Sequence, residues 1–448
     1  MGRRKLAQNF RGRSNTKSLS EVANPSPPTF VRPSGRTLTW DNYLKSLHNL
    51  PKIPPVNMFK HAPGAAIWDA VAIPNIVIEL RNPFTQCQTD IYWVGTVVYF
   101  AGYFALVKFE RFGTEPNQLS WISFYSNVPH PIGWCKQNGK ILHPGKATAK
   151  AHPDYNEKLK IFLDGKQTIS PYHVELFTND ISSMVSLNPT LPVEVEDISD
   201  PTSNKLGRIS VISGDRFHVH YLTTSGDDAE GVWFSNKCEA VHPLGWSESV
   251  GNYLDITHSC GIKFEKLSTD NFPNFPPEMI ITAGMCLETR HPSFPHRIVG
   301  AVIVKVLQMG YFIGKTCDKL PDTRMEFRCH VTSPFIYPVG WGLKWGIDVE
   351  NHMAGSMWDR EYLQLERLPQ RPPHYFEVGM VLEAMDITQA SFCGPVTIIK
   401  VAEHMLFIHF NHWSRQVHSN SMWVDAECGD IYPIGYSELI GIEFQGHV

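Results

Sequence analysis

No Cys-x-x-Cys pair occurs among the nine cysteines of this 448-residue chain, and an odd number fits no fully paired disulfide framework. Scattered thiols argue against a zinc module and an oxidised scaffold, and favour a reducing compartment. No apolar run approaches the ~18–20 residues of a membrane span. The N-terminus carries charge without an apolar core segment, so no secretory signal is expected. Neither charge sign is in large excess. A formal net charge of −4 excludes a polybasic nucleic-acid binder for the molecule as a whole. His-Glu-x-x-His, Gly-x-Ser-x-Gly and phosphate-cradling glycine loops are all missing. Histidines are plentiful, at 20, but do not assemble into a ligand pattern. His218 and His220 share a strand face at period two without a third ligand at metal-like spacing, and His258, His352 and His404 are isolated. Cys135 follows Trp134 with no evident activating partner. No catalytic residue, metal or cofactor is therefore expected.

What is present points to β structure. Aromatics make up 12% of the chain, and 33 prolines accompany short β-branched runs such as Ile76 to Leu80 and Ile91 to Tyr99. Residues 1–37 carry Arg3, Arg4, Lys5, Arg11, Arg13 and Lys17 among Ser, Gly and Pro, with too few apolar residues to offset ordering. This reads as a disordered basic tail, serving either nuclear import or loose phosphate contact, or simply solvated. Thr39 is a candidate N-cap for a short helix at Trp40 to Leu44.

Two blocks repeat. Pro-x-Gly-aromatic, preceded by His or Tyr, ends at Trp134, Trp246, Trp341 and Tyr436, at spacings of 112, 95 and 95 residues. An apolar residue followed by glutamate recurs at Glu79, Glu194, Glu288 and Glu383, at spacings of 115, 94 and 95. Two blocks in one period define four modules of roughly a hundred residues each. We expect repeat one at 38–147, repeat two at 148–256, repeat three at 257–350 and repeat four at 351–448. Proline fixes φ, glycine turns the chain and the aromatic seals a core, so the closing block reads as scaffold. Helical arms are expected between the barrels at Tyr155 to Leu163 and Trp358 to Leu363, packed on a neighbouring barrel.

The Gly379 to Tyr436 stretch has the fullest set of cation-holding residues. Asp386, with Phe410 and Trp413 three apart, supplies a carboxylate for an N–H and two π faces for an alkylated ammonium. The plainer alternative makes Phe410 and Trp413 barrel-rim aromatics and Asp386 a turn cap. Together, the Trp-x-x-Tyr-Leu entry at Trp40, Gly379-Met380-Val381-Leu382-Glu383 to Asp386, Phe410 to Trp413 and Tyr432 to Gly435 resemble the malignant brain tumour (MBT) repeat family. The likeness lies with its four-repeat lethal(3)malignant-brain-tumour-like branch and runs from about Thr39 to the C-terminus. It implies a mainly β fold of four SH3/Tudor-like five-stranded barrels, each with a helical N-terminal arm.

The resemblance also implies a nuclear, non-enzymatic chromatin regulator that binds mono- and dimethylated lysine of histone tails and acts in repression. In repeat four the implied pocket is Asp386, Phe410 and Trp413, with Gln389 orienting the aspartate. The further aromatic of the family pattern is replaced by Val417, and Ser414 to Met422 is longer than the pattern. Repeat two has Asp197 and Tyr221 but Thr224 in place of the tryptophan. Repeat one has Asn82, Phe109 and Phe112, a neutral aromatic patch. Repeat three has His291 and Thr316 to Lys319, with Lys315 and Lys319 opposing a cation. Repeats one to three are thus expected to dock proteins of a chromatin complex. No membrane association is expected, and direct nucleic-acid binding is expected to be weak or absent. The alternative is a scaffold with a degenerate pocket.

Overall fold

The computed structural model describes residues 39–46, 51–85, 91–113, 118–182, 191–197, 200–223, 226–227, 231–257, 267, 272–273, 279–319, 321–350, 361–365, 368, 370–386, 393–411 and 420–441. Four curled antiparallel sheets follow one another along the chain. In repeat four, Val381–Met385, Cys393–Ala402, Met405–Phe410 and Ser421–Asp425 pair in order, and Ile431–Tyr432 returns to the first strand. Repeats two and three have the same spatial order, with one extra parallel strand on the second. In repeat one the return is a single bridge, Glu79 to His130. The pairing register slips in the second strand at equivalent places: Val97/Tyr99, Ile209/Val211, Ile303/Lys305 and Ile398/Lys400. An extra residue there bends the strand and lets each sheet curl over its own core.

The two sequence blocks meet. Each repeated glutamate is buried, and its carboxylate accepts two backbone N–H groups from the closing turn. Glu79 takes Gly133 and Cys135, both at 2.7 Å. Glu194 takes Gly245 at 2.6 Å and Ser247 at 2.8 Å, and Glu288 takes Gly340 and Gly342 at 2.7 Å. Glu383 takes Gly435 at 3.1 Å and Ser437 at 2.9 Å, and also accepts from the Trp40 indole. Burial pushes the Glu383 carboxyl up to about 7 against the pull of these donors. The turn glycines have φ of 91°, 89°, 95° and 94°, a left-handed conformation that only glycine adopts freely. The paired aromatics then stack face to face: His130–Trp134 at 3.5 Å, His242–Trp246 at 3.7 Å, Tyr337–Trp341 at 3.9 Å and Tyr432–Tyr436 at 4.1 Å.

Repeats two, three and four close a ring. Arg328 of repeat three bonds Asn204 at 2.7 Å and Glu196 at 3.2 Å in repeat two. Arg290 of repeat three donates to the Trp423 carbonyl of repeat four at 3.0 Å, and Trp423 N–H donates to the Pro295 carbonyl at 2.8 Å. Arg216 of repeat two bonds Asp430 at 3.0 Å and the Tyr432 hydroxyl at 2.7 Å in repeat four. Repeat one is fused to repeat four: their apolar cores form one cluster, and Tyr103 N–H donates to the Ile434 carbonyl at 2.9 Å.

The arms cross between repeats. Thr39 caps Trp40–Ser46, its hydroxyl accepting Asn42 N–H at 3.3 Å. Lys52 then bridges to Met380 beside the first strand of repeat four. Tyr155–Leu163 is helical as expected, and Gln167 beyond it accepts Val77 N–H of repeat one at 2.9 Å. The helix expected at Trp358 to Leu363 is corrected in its described part. Residues 361–363 are extended and bridge Cys286 through Tyr362, because Glu361 O and Leu363 N–H complete an open strand edge of repeat three. Tertiary pairing there overrides local helix preference.

Two outcomes test this frame. Glu194→Ala leaves two buried N–H groups without acceptors and should cost about 2–5 kcal/mol in urea unfolding. The exposed control Glu157→Ala should stay within about 0.5 kcal/mol. The second concerns His130, which burial, helped by the charge of Arg81, holds down at about 4. Between the ordinary 6.5 and about 4, the unfolded chain takes up a proton that the folded chain refuses. The imidazole's contribution is therefore whole above 6.5 and lost as pH falls toward 4. The stability gap between wild type and His130→Gln should shrink as pH is lowered from about 7 to about 4.5.

Candidate functional site

Register identifies the corresponding positions in the four sheets. The last aromatic of the third strand in repeat four, Phe410, pairs with Val396, and Val396 pairs with Leu382. The same pairing chain gives Phe109 in repeat one, Tyr221 in repeat two and Thr316 in repeat three. Three residues after each buried glutamate stand Asn82, Asp197, His291 and Asp386, all 8% exposed or less. Asp386 follows Met385, whose partner is Cys393, while Asn411 N–H donates to the Pro395 carbonyl at 3.0 Å. Asp386 and Phe410 therefore lie at one end of the sheet, on either side of the start of the second strand.

The four rims differ chemically. In repeat one, the Asn82 amide donates to the His143 carbonyl at 3.0 Å and its oxygen accepts Phe84 N–H at 3.1 Å. Phe109 is buried beneath Phe84, ring edge to face at 5.5 Å, and Phe112 leans on Trp93 and His152. In repeat two, Asp197 forms an ion pair with Lys205 at 2.7 Å, and the Tyr221 hydroxyl donates to the Glu196 carbonyl at 2.8 Å. In repeat three, His291 is fully buried: Nδ1 accepts from Ser293 and Phe294 at 3.1 Å, and Nε2 donates to the Thr323 carbonyl. Burial holds this imidazole below its ordinary range. Thr316 is 1% exposed, and Lys315 pairs with Glu326 at 3.2 Å.

Repeat four differs at the position of Lys205. Lys205 pairs with Val195, and the equivalent partner of Ala384 is Gly394. The strand beside Asp386 thus carries no lysine at the place where repeat two has one. Phe410 is only 5% exposed and belongs to the shared core of repeats one and four, so it is a packing residue as well as a rim residue. Gln389 and Trp413 lie outside the described residues, as do Val417 and Thr224. The Lys205–Gly394 contrast was not legible from motif matching. Its signal is the residue two before Gly207 and Val396 in the second strands.

Among the described residues, no group of three or more His, Cys, Asp or Glu is placed to hold a metal, and no helix is long and apolar enough to cross a membrane. The His218 and His220 rings lie 4.6 Å apart, His218 facing the Ser210 hydroxyl at 3.2 Å. Cys135 is a free, buried thiol whose pKa is raised by burial and by neighbouring Glu79, the opposite of activation.

The double role of Phe410 has a measurable consequence. Phe410→Ala should lower unfolding free energy by about 3–5 kcal/mol, whereas the near-isosteric Asp386→Asn should change it by no more than about 1 kcal/mol. Urea denaturation of the two variants checks both.

A family model described as mbt repeat matches residues 78–148, 192–258, 285–353 and 380–446. The chain is 28% identical over 444 residues to MBT domain-containing protein 1 of Homo sapiens, covering 91% of this chain and 66% of that protein. It is 26% identical over 445 residues to Polycomb protein Sfmbt of Drosophila melanogaster, covering 88% of this chain and 35% of that protein. It thus spans about two thirds of the first relative and about a third of the second. The crystal structure of the four MBT repeats of Drosophila melanogaster Sfmbt in complex with the peptide RHR(me)KVLR superposes with a TM-score of 0.75 at 25% identity, covering 92% of this chain and 99% of that one.

Proposed function

From the premise that this chain belongs to the MBT repeat family, we propose that it is a non-enzymatic reader of mono- and dimethylated lysine in histone tails, acting through repeat four. Asp386, Phe410 and Trp413 form the pocket, and Gln389 orients the aspartate. The observation that carries this reading is the register. It brings an acid and an aromatic to one rim of repeat four, with Gly394 where repeat two holds the lysine that engages its own acid. The methylated peptide bound by the Sfmbt repeats supports the substrate class.

The pocket works by cavity insertion. The alkylammonium enters end-on between the Phe410 and Trp413 rings, and each ring contributes about 0.5–2 kcal/mol according to desolvation. Asp386 accepts the N–H that a mono- or dimethylated lysine retains. Trimethyllysine has no such proton and adds bulk. An unmodified ammonium loses more hydration than the rings return. A single inserted side chain buries little area, so affinity is modest and flanking sequence counts for little. A nuclear site and a role in transcriptional repression follow from this reading.

A second reading, a scaffold with a degenerate pocket, is favoured by one observation. Val417 stands where the family pattern has its further aromatic in repeat four, while Arg216, Arg290 and Arg328 hold the repeats together through buried charge. Protein docking on repeats one to three is compatible with either reading.

Titration of histone-tail peptides in each methylation state separates the two. Wild type should prefer the mono- and dimethylated peptides, and Asp386→Asn should weaken them at least about tenfold, or about 1.4 kcal/mol. Equal, negligible binding by wild type and variant would leave the scaffold.

A further inference from the structure

Among the described residues, three of the four closing turns are roofed by a hairpin of another repeat. Trp246 lies beneath the Arg328 guanidinium at 4.7 Å and edge-on to Tyr311 at 4.9 Å, both from the third and fourth strands of repeat three. Tyr337 and Trp341 pack with Met405 and Trp423 from the corresponding strands of repeat four. The Tyr432–Tyr436 pair meets Arg216 and Asp215, at the start of the third strand of repeat two. The same turn also receives repeat one, whose Phe104 lies against Gly435. In each case the roof is the hairpin of third and fourth strands, or its first residues.

Four hairpins serve four turns, but unevenly. The hairpins of repeats one and two both fall on the turn of repeat four, so the turn of repeat one has no hairpin above it among the described residues. Its His130 and Trp134 remain half-buried, whereas the six stacked residues of the other repeats are at most 9% exposed. Beside them runs a groove of about 360 Å³. One wall is the stack with Val128 and Pro131, and the other is one face of the helix Pro171–Ser182, presenting Val174, Glu175 and Thr178. That helix is pinned from behind by Phe177 against Trp68 and by Asp180, which accepts Gly64 N–H, so the wall is set in place.

We propose that this groove docks a strand or β-hairpin of a partner protein, laying an arginine over Trp134 with its guanidinium toward Glu175. The chemistry is that of the roofs already present: a guanidinium covers Trp246 and another reaches Tyr432. Glu175 is exposed on the helix wall and supplies the countercharge. A second copy of this chain is a poor occupant, because each of its own hairpins is already committed to a turn. The proposal is independent of methyllysine reading.

The probe is a cyclised hairpin with the sequence of residues 311–330 of this chain, its cysteines replaced by serine, since this segment roofs Trp246. Binding to the full chain is followed by fluorescence anisotropy of the labelled hairpin. Saturable binding is expected below about 1 mM. Glu175→Lys and Thr178→Trp should each weaken it at least about fivefold without changing Tm, and so should Arg328→Ala within the hairpin. Should Thr178→Trp lower Tm, the exposed Glu175→Lys still decides. Absence of binding, or unchanged affinity in Glu175→Lys, overturns the proposal. Binding that appears only after deletion of residues 1–37 overturns it as well, by making the chain's own N-terminal segment the occupant.

Discussion

A buried carboxylate that accepts two N–H groups from a tight turn is the constraint on which each repeat depends. The glutamate lies on the first strand and the turn lies some fifty residues later, so one interaction closes the module from end to end. It works only with glycine in the left-handed conformation, which aims its own N–H and that of the residue two further on at a single anion. Removing either side leaves a buried charge or buried donors unpaired. That is why the two blocks keep step along the chain.

The closed turn presents its stacked aromatic pair outward, and the assembly is built on those faces. The ring of repeats two, three and four places arginines and aromatic side chains over them. These guanidiniums are expensive to bury, but planar donors satisfy several acceptors at once and lie flat on a ring. Repeat one joins differently, by merging its core with that of repeat four. The rim carrying Asp386 and Phe410 is therefore mounted on a core that two repeats share, the largest apolar cluster among the described residues.

Within the rims, the same backbone positions support opposite electrostatics. An aspartate with a strand neighbour lysine is internally neutralised in repeat two, and a histidine with both nitrogens bonded is sealed in repeat three. In repeat four, glycine replaces the lysine, so the acid has no cation contributed by that strand position. The four rims thus differ in their electrostatics through single side chains at matching backbone positions.

Period and alternation in the chain were enough to establish four β modules, their closing turns, the Thr39 cap and the helix at Tyr155–Leu163, because these depend on local backbone preference and short-range burial. The candidate acid and aromatic were legible as Asp386 and Phe410, since the motif carries them in order. Contacts across distant positions decided the rest. Residues 361–363 became a strand edge instead of a helix because Cys286 offered unpaired backbone groups. Lys205 was assigned to Asp197 by strand register, and Phe410 proved to be core as much as rim because repeat one packs behind it. Which closing turns lie under a hairpin among the described residues, and that the turn of repeat one does not, depends on how the repeats pack around one another, and no local pattern encodes that.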